Sequence, residues 1–390
     1  MTTPLLACVG PAQHGVRLHA QHLASSTPQA PSLTGTVDEL MPRLVAGTSP
    51  VHLHFTDRIF GASPALAARA VAEIAAVRPV SATLHDIPQP SDGHAFGARR
   101  AAYAEVVQAA RTVIVCSASE REQLRRHVPC STDVSVVVDP LPVDPPEPEQ
   151  WREARRRAAG GGEPTVGVLG FLYPGKGHDR VVQALTDVPG PVEVLALGRA
   201  SDGHEDLVPA LDAQARHHGH FFRARGFLDD AALTRAAQQV TVPVVAPSHV
   251  SASGSVGRWI ASGRRPLVTP HPFFEELAER APWALTLISD LDASLARALE
   301  DPLSTWIHPD EWRAADLPST ARAAAVQWVR VAGERPSENG AGSPTHPTSG
   351  PGSGVGGARF AGEPRSTGDT GLGASEPRGS RAAAAGEGTA

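Results

Sequence analysis

Thr165-Val-Gly-Val-Leu-Gly170-Phe-Leu-Tyr-Pro-Gly175-Lys176-Gly177-His178 passes from a buried-strand pattern through a glycine loop into a helical pattern. The run 165–169 is apolar without polar alternation, which suits a strand covered on both faces of a parallel sheet. Lys176 is the single lysine in a chain with 35 Lys+Arg, so Arg stands almost wherever a cation is written. A compact ammonium between Gly175 and Gly177, at a helix start where N–H groups are unpaired, suits a diphosphate. The stretch is not a P-loop, because Gly177 follows the lysine where Ser or Thr would hold a metal.

The same strand–loop–helix unit recurs on both sides. Upstream, Leu5–Val9, Val51–Phe55, Val80–Leu84, 112–116 and 134–138 read as strands, with helical spacing at 64–77 and 99–110. Downstream, Thr165–Leu169, 192–197, Phe221–Ala224, 240–245, 266–268 and 284–288 read as strands. Helical patterns cover 178–185, 205–217, 230–238, 257–262 and 273–280. Alternation of this kind implies right-handed βαβ crossovers. The expected fold is α/β, with two doubly wound parallel-sheet (Rossmann-like) domains facing across a cleft and a disordered C-terminal tail. The break falls at Asp139-Pro-Leu-Pro-Val-Asp-Pro-Pro-Glu-Pro148, whose five prolines in ten residues exclude a helix or central strand. The expected divisions are 1–140, a linker and connecting helix at 141–162, a second domain at 163–308, a returning helical segment at 309–332, and the tail at 333–390. The tail holds 15 of the 37 glycines, too little apolar surface to offset its ordering entropy.

Ligands of such sheets bind at the carboxyl ends of strands, so the loops there carry the candidate site. Gly10-Pro-Ala-Gln-His14-Gly15 can present N–H groups to an anion, with His14 in reach of a hydroxyl as a base, or it is an ordinary turn. It is not the dinucleotide fingerprint GxGxxG. His54, Thr56 and Asp57 crowd the end of the second strand, facing a cleft or marking a solvated edge strand. His52 and His54 share one face of it. His85 and Asp86 end the third strand, and Pro88 stops any helix there. Ser117 or Ser119 caps the next helix, and Cys116 reads as a buried apolar residue. In the second half, Ser253, Gly254 and Ser255 form another candidate anion nest, with Arg258 adding charge. Glu275 or Glu276 can meet a sugar or ribose hydroxyl.

Composition limits the function. With 41 Asp+Glu the net charge is −6, without the basic face that general nucleic-acid binding needs. No apolar run is long enough for a membrane span, and no basic segment marks a signal peptide. Cys8, Cys116 and Cys130 are too few for a disulfide framework or zinc site, which fits a reduced cytoplasm. No metal or cofactor is implied. Arg99, Arg100, Arg111, Arg121, Arg125 and Arg126 read as a solvated helix face, or as peripheral contact with the inner membrane surface.

In order, 10–17, Thr83-Leu-His85-Asp86, 113–117, 170–177, Gly226-Phe-Leu-Asp-Asp230 and Ala261-Ser-Gly263-Arg-Arg-Pro266-Leu-Val268 resemble the motifs of GT-B glycosyltransferases of the family-4-like, retaining group. The resemblance covers nearly all of 4–330. It implies an acceptor-side first domain, a donor-side second domain, and transfer of a sugar from a nucleoside diphosphate sugar to a hydroxyl acceptor it does not identify. It implies His85 against the donor sugar, Lys176 and the glycines Gly170, Gly175 and Gly177 at the diphosphate, and a last helix packed across both domains. Two departures stand out. Phe171 follows Gly170 where the family often has arginine, and Val250 and Arg258 occupy the places of its two glutamates. The alternatives are a non-catalytic GT-B-like nucleotide-sugar-binding or scaffold protein, an inverting transferase with His14 as base, and a nucleotide-sugar epimerase.

Overall fold

The computed structural model describes residues 3–129 and 136–332. The expected tail, Cys130 and positions 134 and 135 of the fifth expected strand lie outside the described residues. The first half runs β1 (Leu5–Val9), α1 (Gly15–Ser25), β2 (Ser32–Gly35), α2 (Val37–Ala46), β3 (Val51–Phe55), α3 (Asp57–Phe60), α4 (Pro64–Ala75) and β4 (Val80–Leu84). It continues with α5 (Phe96–Ala109), β5 (Ala110–Val115), α6 (Ala118–His127) and β6 (Val136–Val138). After α7 (Pro148–Ala159) come β7 (Thr165–Leu169), α8 (His178–Ala184), β8 (Glu193–Leu197), α9 (Leu207–His217), β9 (Phe221–Ala224), α10 (Asp230–Gln239) and β10 (Val242–Val245). The described residues end with α11 (Gly254–Ala261), β11 (Leu267–Val268), α12 (Pro272–Arg280), β12 (Thr286–Leu287), α13 (Leu291–Glu300) and α14 (Thr320–Ala332).

Two six-stranded sheets result, ordered β2-β1-β3-β4-β5-β6 and β12-β11-β10-β7-β8-β9. Every pairing in them is parallel. The winding reverses once in each, between β1 and β3 and between β7 and β10, and crevices open at the carboxyl ends of strands at such points. The first crevice gathers the loops after Val9 and Phe55. The second gathers the loops after Leu169 and Val245.

The expected strands match to within a few residues at their ends, with one omission. β2, Ser32-Leu-Thr-Gly35, has no apolar run and is half exposed at the sheet edge, so only its register against Leu6–Val9 makes it a strand. α11 begins at Gly254 rather than 257, which places Ser255 in its first turn. β3 and β4 are buried at every position but carry two chemistries. Val51, Leu53, Phe55, Val80, Ala82 and Leu84 face the apolar core. His52, His54, Ser81 and Thr83 lie on the other face, so the histidines are neither solvated nor on an edge.

Two carboxylates join the halves. Glu276 accepts from the Ala118 and Ser119 N–H groups at 3.0 Å each, where α6 begins and its orphan donors favour an anion. Ser117 is the α6 cap, its Oγ accepting from the Glu120 N–H at 2.9 Å. Ser251 donates to Glu120 Oε1 at 2.5 Å and accepts from the Ile87 N–H at 2.8 Å. Glu120 is 0% exposed. Burial raises its carboxyl to about 7, against the bonds from Ser251 and the Cys116 N–H, which lower it. Between its ordinary 4.5 and 7 the folded chain holds a proton that the unfolded chain releases, so stability falls as pH rises through that window. The expected loss is about 3 kcal/mol in total. Melting temperature followed from pH 4.5 to 7.5 should show this fall in the wild type and flatten in Glu120→Gln. A wild-type profile as flat as the variant's would remove the assignment.

Near the end, the chain returns to the first sheet. Arg330 pairs with Asp139 at 2.7 Å, and the Gln327 amide lies 3.3 Å from His54 Nε2.

Candidate active site

The second crevice is built by glycines. Gly170, Gly175 and Gly177 have φ of +109°, +86° and +102°, a region that side chains rarely adopt. A Cβ on Gly177 would stand 2.3 Å from the Ala246 carbonyl oxygen, so the loop after β7 lies directly on the loop after β10. The Ser248 N–H donates to the Gly175 carbonyl at 2.8 Å across the same contact. Gly198, which the sequence reading did not single out, has the same role at the end of β8, where a Cβ would be 2.1 Å from the Gly170 oxygen.

This packing carries Lys176 from one loop to the helix start of the next. Its Nζ is 3.4 Å from Ser255 Oγ, and Ser255 Oγ is 2.9 Å from Ser253 Oγ. Ser253 is the N-cap of α11, yet its hydroxyl bonds no N–H of the helix. Space around Gly254 is open. Lys176 is half-buried and has no carboxylate partner among the described residues; burial draws its ammonium down to about 8. An unpaired cation beside hydroxyls and a helix N-terminus can hold an anion.

The other second-half candidates are distributed differently. Arg258 pairs with Asp230 at 2.6 Å rather than joining Lys176. Val250 is 5% exposed and packed in the core. Glu275 is exposed in the first turn of α12, and Glu276 is committed to α6.

In the first crevice, His14 is the N-cap of α1, its Nδ1 accepting from the Val16 N–H at 3.3 Å. A neutral ring bonded this way carries its proton on Nε2 and offers a donor, not a base. Burial lowers the ring, Asp86 raises it and Arg58 lowers it. Gly15 opens the helix, with free space around it.

Asp86 has φ +51°, the sole non-glycine positive φ among the described residues. Such a conformation persists only where neighbours hold it. Here Arg99 donates to the Asp86 carbonyl at 2.7 Å and Thr56 to its carboxylate at 3.1 Å. Asp57 is not a surface acceptor group. It is buried in a salt bridge to Arg99 at 2.9 Å, and Arg99 also reaches Asp92 at 2.6 Å. The reading of Arg99 on a solvated helix face is corrected by this, since it is 5% exposed. Its signal was the carboxylate at Asp57, forty-two positions away. Asp86 adjoins Ile87, whose bond to Ser251 brings this loop to the Ser253 loop.

His85 and His54 are buried at 7% and 3% exposure. His54 Nδ1 lies 3.1 Å from His85 Nε2, with the rings stacked. His52 bonds Ser81 at 3.0 Å and Thr83 at 3.1 Å. Burial first, then neighbouring imidazoles, push His54 and His85 well below the usual histidine range. The Tyr103 hydroxyl donates to the His85 carbonyl at 2.5 Å, fixing the strand end that aims Asp86. Burial pushes the Cys116 thiol far up, consistent with an inert apolar residue.

Two facing parallel sheets, each with its crevice at the winding reversal, define the GT-B fold of the glycosyltransferases. The chain is similar to the solved structure of HepE from Anabaena in complex with UDP and glucose, at 16% identity and a TM-score of 0.61, over 85% of this chain and 95% of that one. Sucrose-phosphate synthase from Thermosynechococcus elongatus is similar at 14% identity and 0.58, over 84% and 94%. The apo form of the lipopolysaccharide outer core galactosyltransferase WaaB is similar at 11% and 0.51, over 85% and 99%. No protein-family model and no curated protein matches the sequence. No helix among the described residues is long and apolar enough to cross a membrane.

Proposed function

We propose that the chain is a glycosyltransferase of hexosyl type, moving a sugar from a nucleoside diphosphate sugar to a hydroxyl acceptor with retention of configuration. The observation that carries this is the Lys176 ammonium, without a carboxylate partner among the described residues and 3.4 Å from Ser255 Oγ, at the winding reversal of the second sheet. UDP and UDP-glucose in the HepE structures support a uridine donor as the first to test. As the sugar C1–O bond to the diphosphate breaks, charge grows on the leaving oxygens. Lys176 and the N–H groups at 254–256 stabilise it. The acceptor oxygen bonds C1 on the same face, and its proton passes to the leaving phosphate, so no protein base and no metal is needed. Asp86, with Thr56 behind it, meets sugar or acceptor hydroxyls. His85, His54 and Asp57 act by positioning that strand end. The capped His14 Nε2–H serves as a donor to the bound sugar phosphate, which weighs against the inverting reading. The acceptor is a small molecule, a glycan or a lipid; a lipid would bring the chain to the inner membrane face.

A second reading, a nucleotide-sugar binder without turnover, draws support from Val250 and from the Arg258–Asp230 pair, since neither family glutamate position offers a carboxylate. Thermal shift with UDP, GDP, ADP and their common sugars tests the donor site, because a ligand at a hundred times its Kd stabilises by about 2.7 kcal/mol. A shift with one nucleotide, followed by release of that nucleoside diphosphate and an α-linked product on an acceptor panel, supports the retaining transferase. A shift without turnover favours the binder, and a C1- or C2-altered free donor sugar the epimerase. No shift on a folded chain overturns the donor site.

A further inference from the structure

One face of β3 and β4, roofed by α1 and α14, collects more imidazole than the proposed transfer uses. His19 comes from α1, His54 from β3 and His85 from the end of β4. One ring nitrogen of each lies within 4.8 Å of the others. His54 and His85 make a hydrogen bond to each other, but His19 has no hydrogen-bond partner among the described residues. It stands edge-on to both rings, at centroid distances of 5.2 and 5.7 Å. Beside it is a cavity of about 10 Å³, lined by His19, Thr83, Cys116, Asp139 and Gln327. That volume is near the lower limit for one water molecule.

We propose that His19, His54 and His85 bind one divalent transition-metal ion of the borderline class, Zn²⁺ being the type. Imidazole nitrogens suit that class, and three of them leave a fourth tetrahedral position for a water. Zn–N bonds of about 2.05 Å place ligand nitrogens about 3.3 Å apart in a tetrahedral site. The His54–His85 pair at 3.1 Å already has that spacing, and His19 has only to draw in. Ligating imidazoles use their second nitrogen to bond an outer group. His85 Nδ1 faces Cys116 Sγ at 4.0 Å, and Gln327, whose amide nitrogen lies 3.3 Å from His54 Nε2, has to turn its amide oxygen to that atom to accept its proton once Nδ1 holds the ion. The ion would tie α1 to two central strands. Those strands end at Thr56 and Asp86, and α1 begins at the His14 loop, so metal loading sets the first crevice from beneath. The site stands independently of the sugar-transfer reading.

The test uses the full chain, freed of any affinity tag, incubated with Zn²⁺, desalted and measured for bound metal. One Zn²⁺ per chain is expected, with a rise in melting temperature. Co²⁺ in its place should give visible d–d absorption of a tetrahedral site. His19→Gln leaves the His54–His85 bond in place, so it should fold, and with one of three ligands lost it should weaken binding by more than the about 10- to 100-fold that loss of an outer group costs. Gln327→Ala should weaken it by about 10-fold or more through His54. A folded wild-type chain that desalts free of metal overturns the proposal. So does one ion per chain retained equally by wild type and His19→Gln, which would place it elsewhere, for example at the adjacent His217 and His218.

Discussion

Lys176→Ala should abolish the thermal shift by the cognate nucleoside diphosphate and lower turnover by about 10²- to 10³-fold, the scale seen when one preorganised charge stabiliser is removed. The lysine reaches the α11 start through Ser255, whereas Arg258 is paired with Asp230. Lys176→Arg should recover little. The side chain lies against Gly170, whose added Cβ would already be 3.4 Å from Lys176 Nζ, and a planar guanidinium needs more width than a compact ammonium. The same residue sets a pH limit. Its ammonium titrates at about 8 in the free chain, so diphosphate affinity should fall as pH rises beyond 8, while the bound anion holds the proton on and moves the limit upward. Isothermal titration at pH 7 and 9.5 checks this. Equal affinity at both, or an unchanged shift in Lys176→Ala, would separate the lysine from the ligand.

Arg264→Leu should cost about 3–5 kcal/mol, the largest single loss of stability expected in this chain. Arg264 is 0% exposed and has no carboxylate partner among the described residues. It donates instead to the carbonyls of Ala237 at 2.8 Å, Val240 at 2.5 Å, Thr241 at 2.8 Å and Thr305 at 3.3 Å. Its guanidinium also reaches Thr305 Oγ1 at 2.8 Å and lies 4.3 Å from the Trp306 ring centroid. These carbonyls end α10 and lead into β10, so one cation closes the helix C-terminus, the strand start and the 3-10 turn at Pro302–Thr305. Burial pulls its pKa down to about 9, which leaves it charged near neutrality. Leucine fills part of the volume but leaves the carbonyls without donors or water. Urea denaturation of the two proteins measures the difference, and a loss under 1 kcal/mol would contradict this account. Arg264→Lys should be nearly as damaging, because three donors on a point charge cannot reproduce a planar fork.

Both residues were visible in the sequence, but unequally. Lys176 stood out because it broke the composition and sat between glycines after a strand, and local pattern is enough for that. Arg264 was one unremarkable position in the Ala261–Val268 motif. Its partners lie twenty-three to forty-one positions away, and no spacing rule links them. Arg99 was read on a solvated face for the same reason, since its partner Asp57 arrives from another strand end. His85 was read as a cleft group because it ends a strand. Whether such a side chain turns into the cleft or beneath it depends on what roofs the sheet, here α1 and α14.

The parallel strands, the glycine loops that end them and their grouping into two successive sheets were therefore legible residue by residue. Apolar runs, prolines and glycines act on the backbone within a few positions. Partnering of buried charges, the polar seam of histidines and the carboxylates that bridge the halves were settled by packing. Desolvation forces each buried polar group to find a partner, and the fold alone determines which one is within reach.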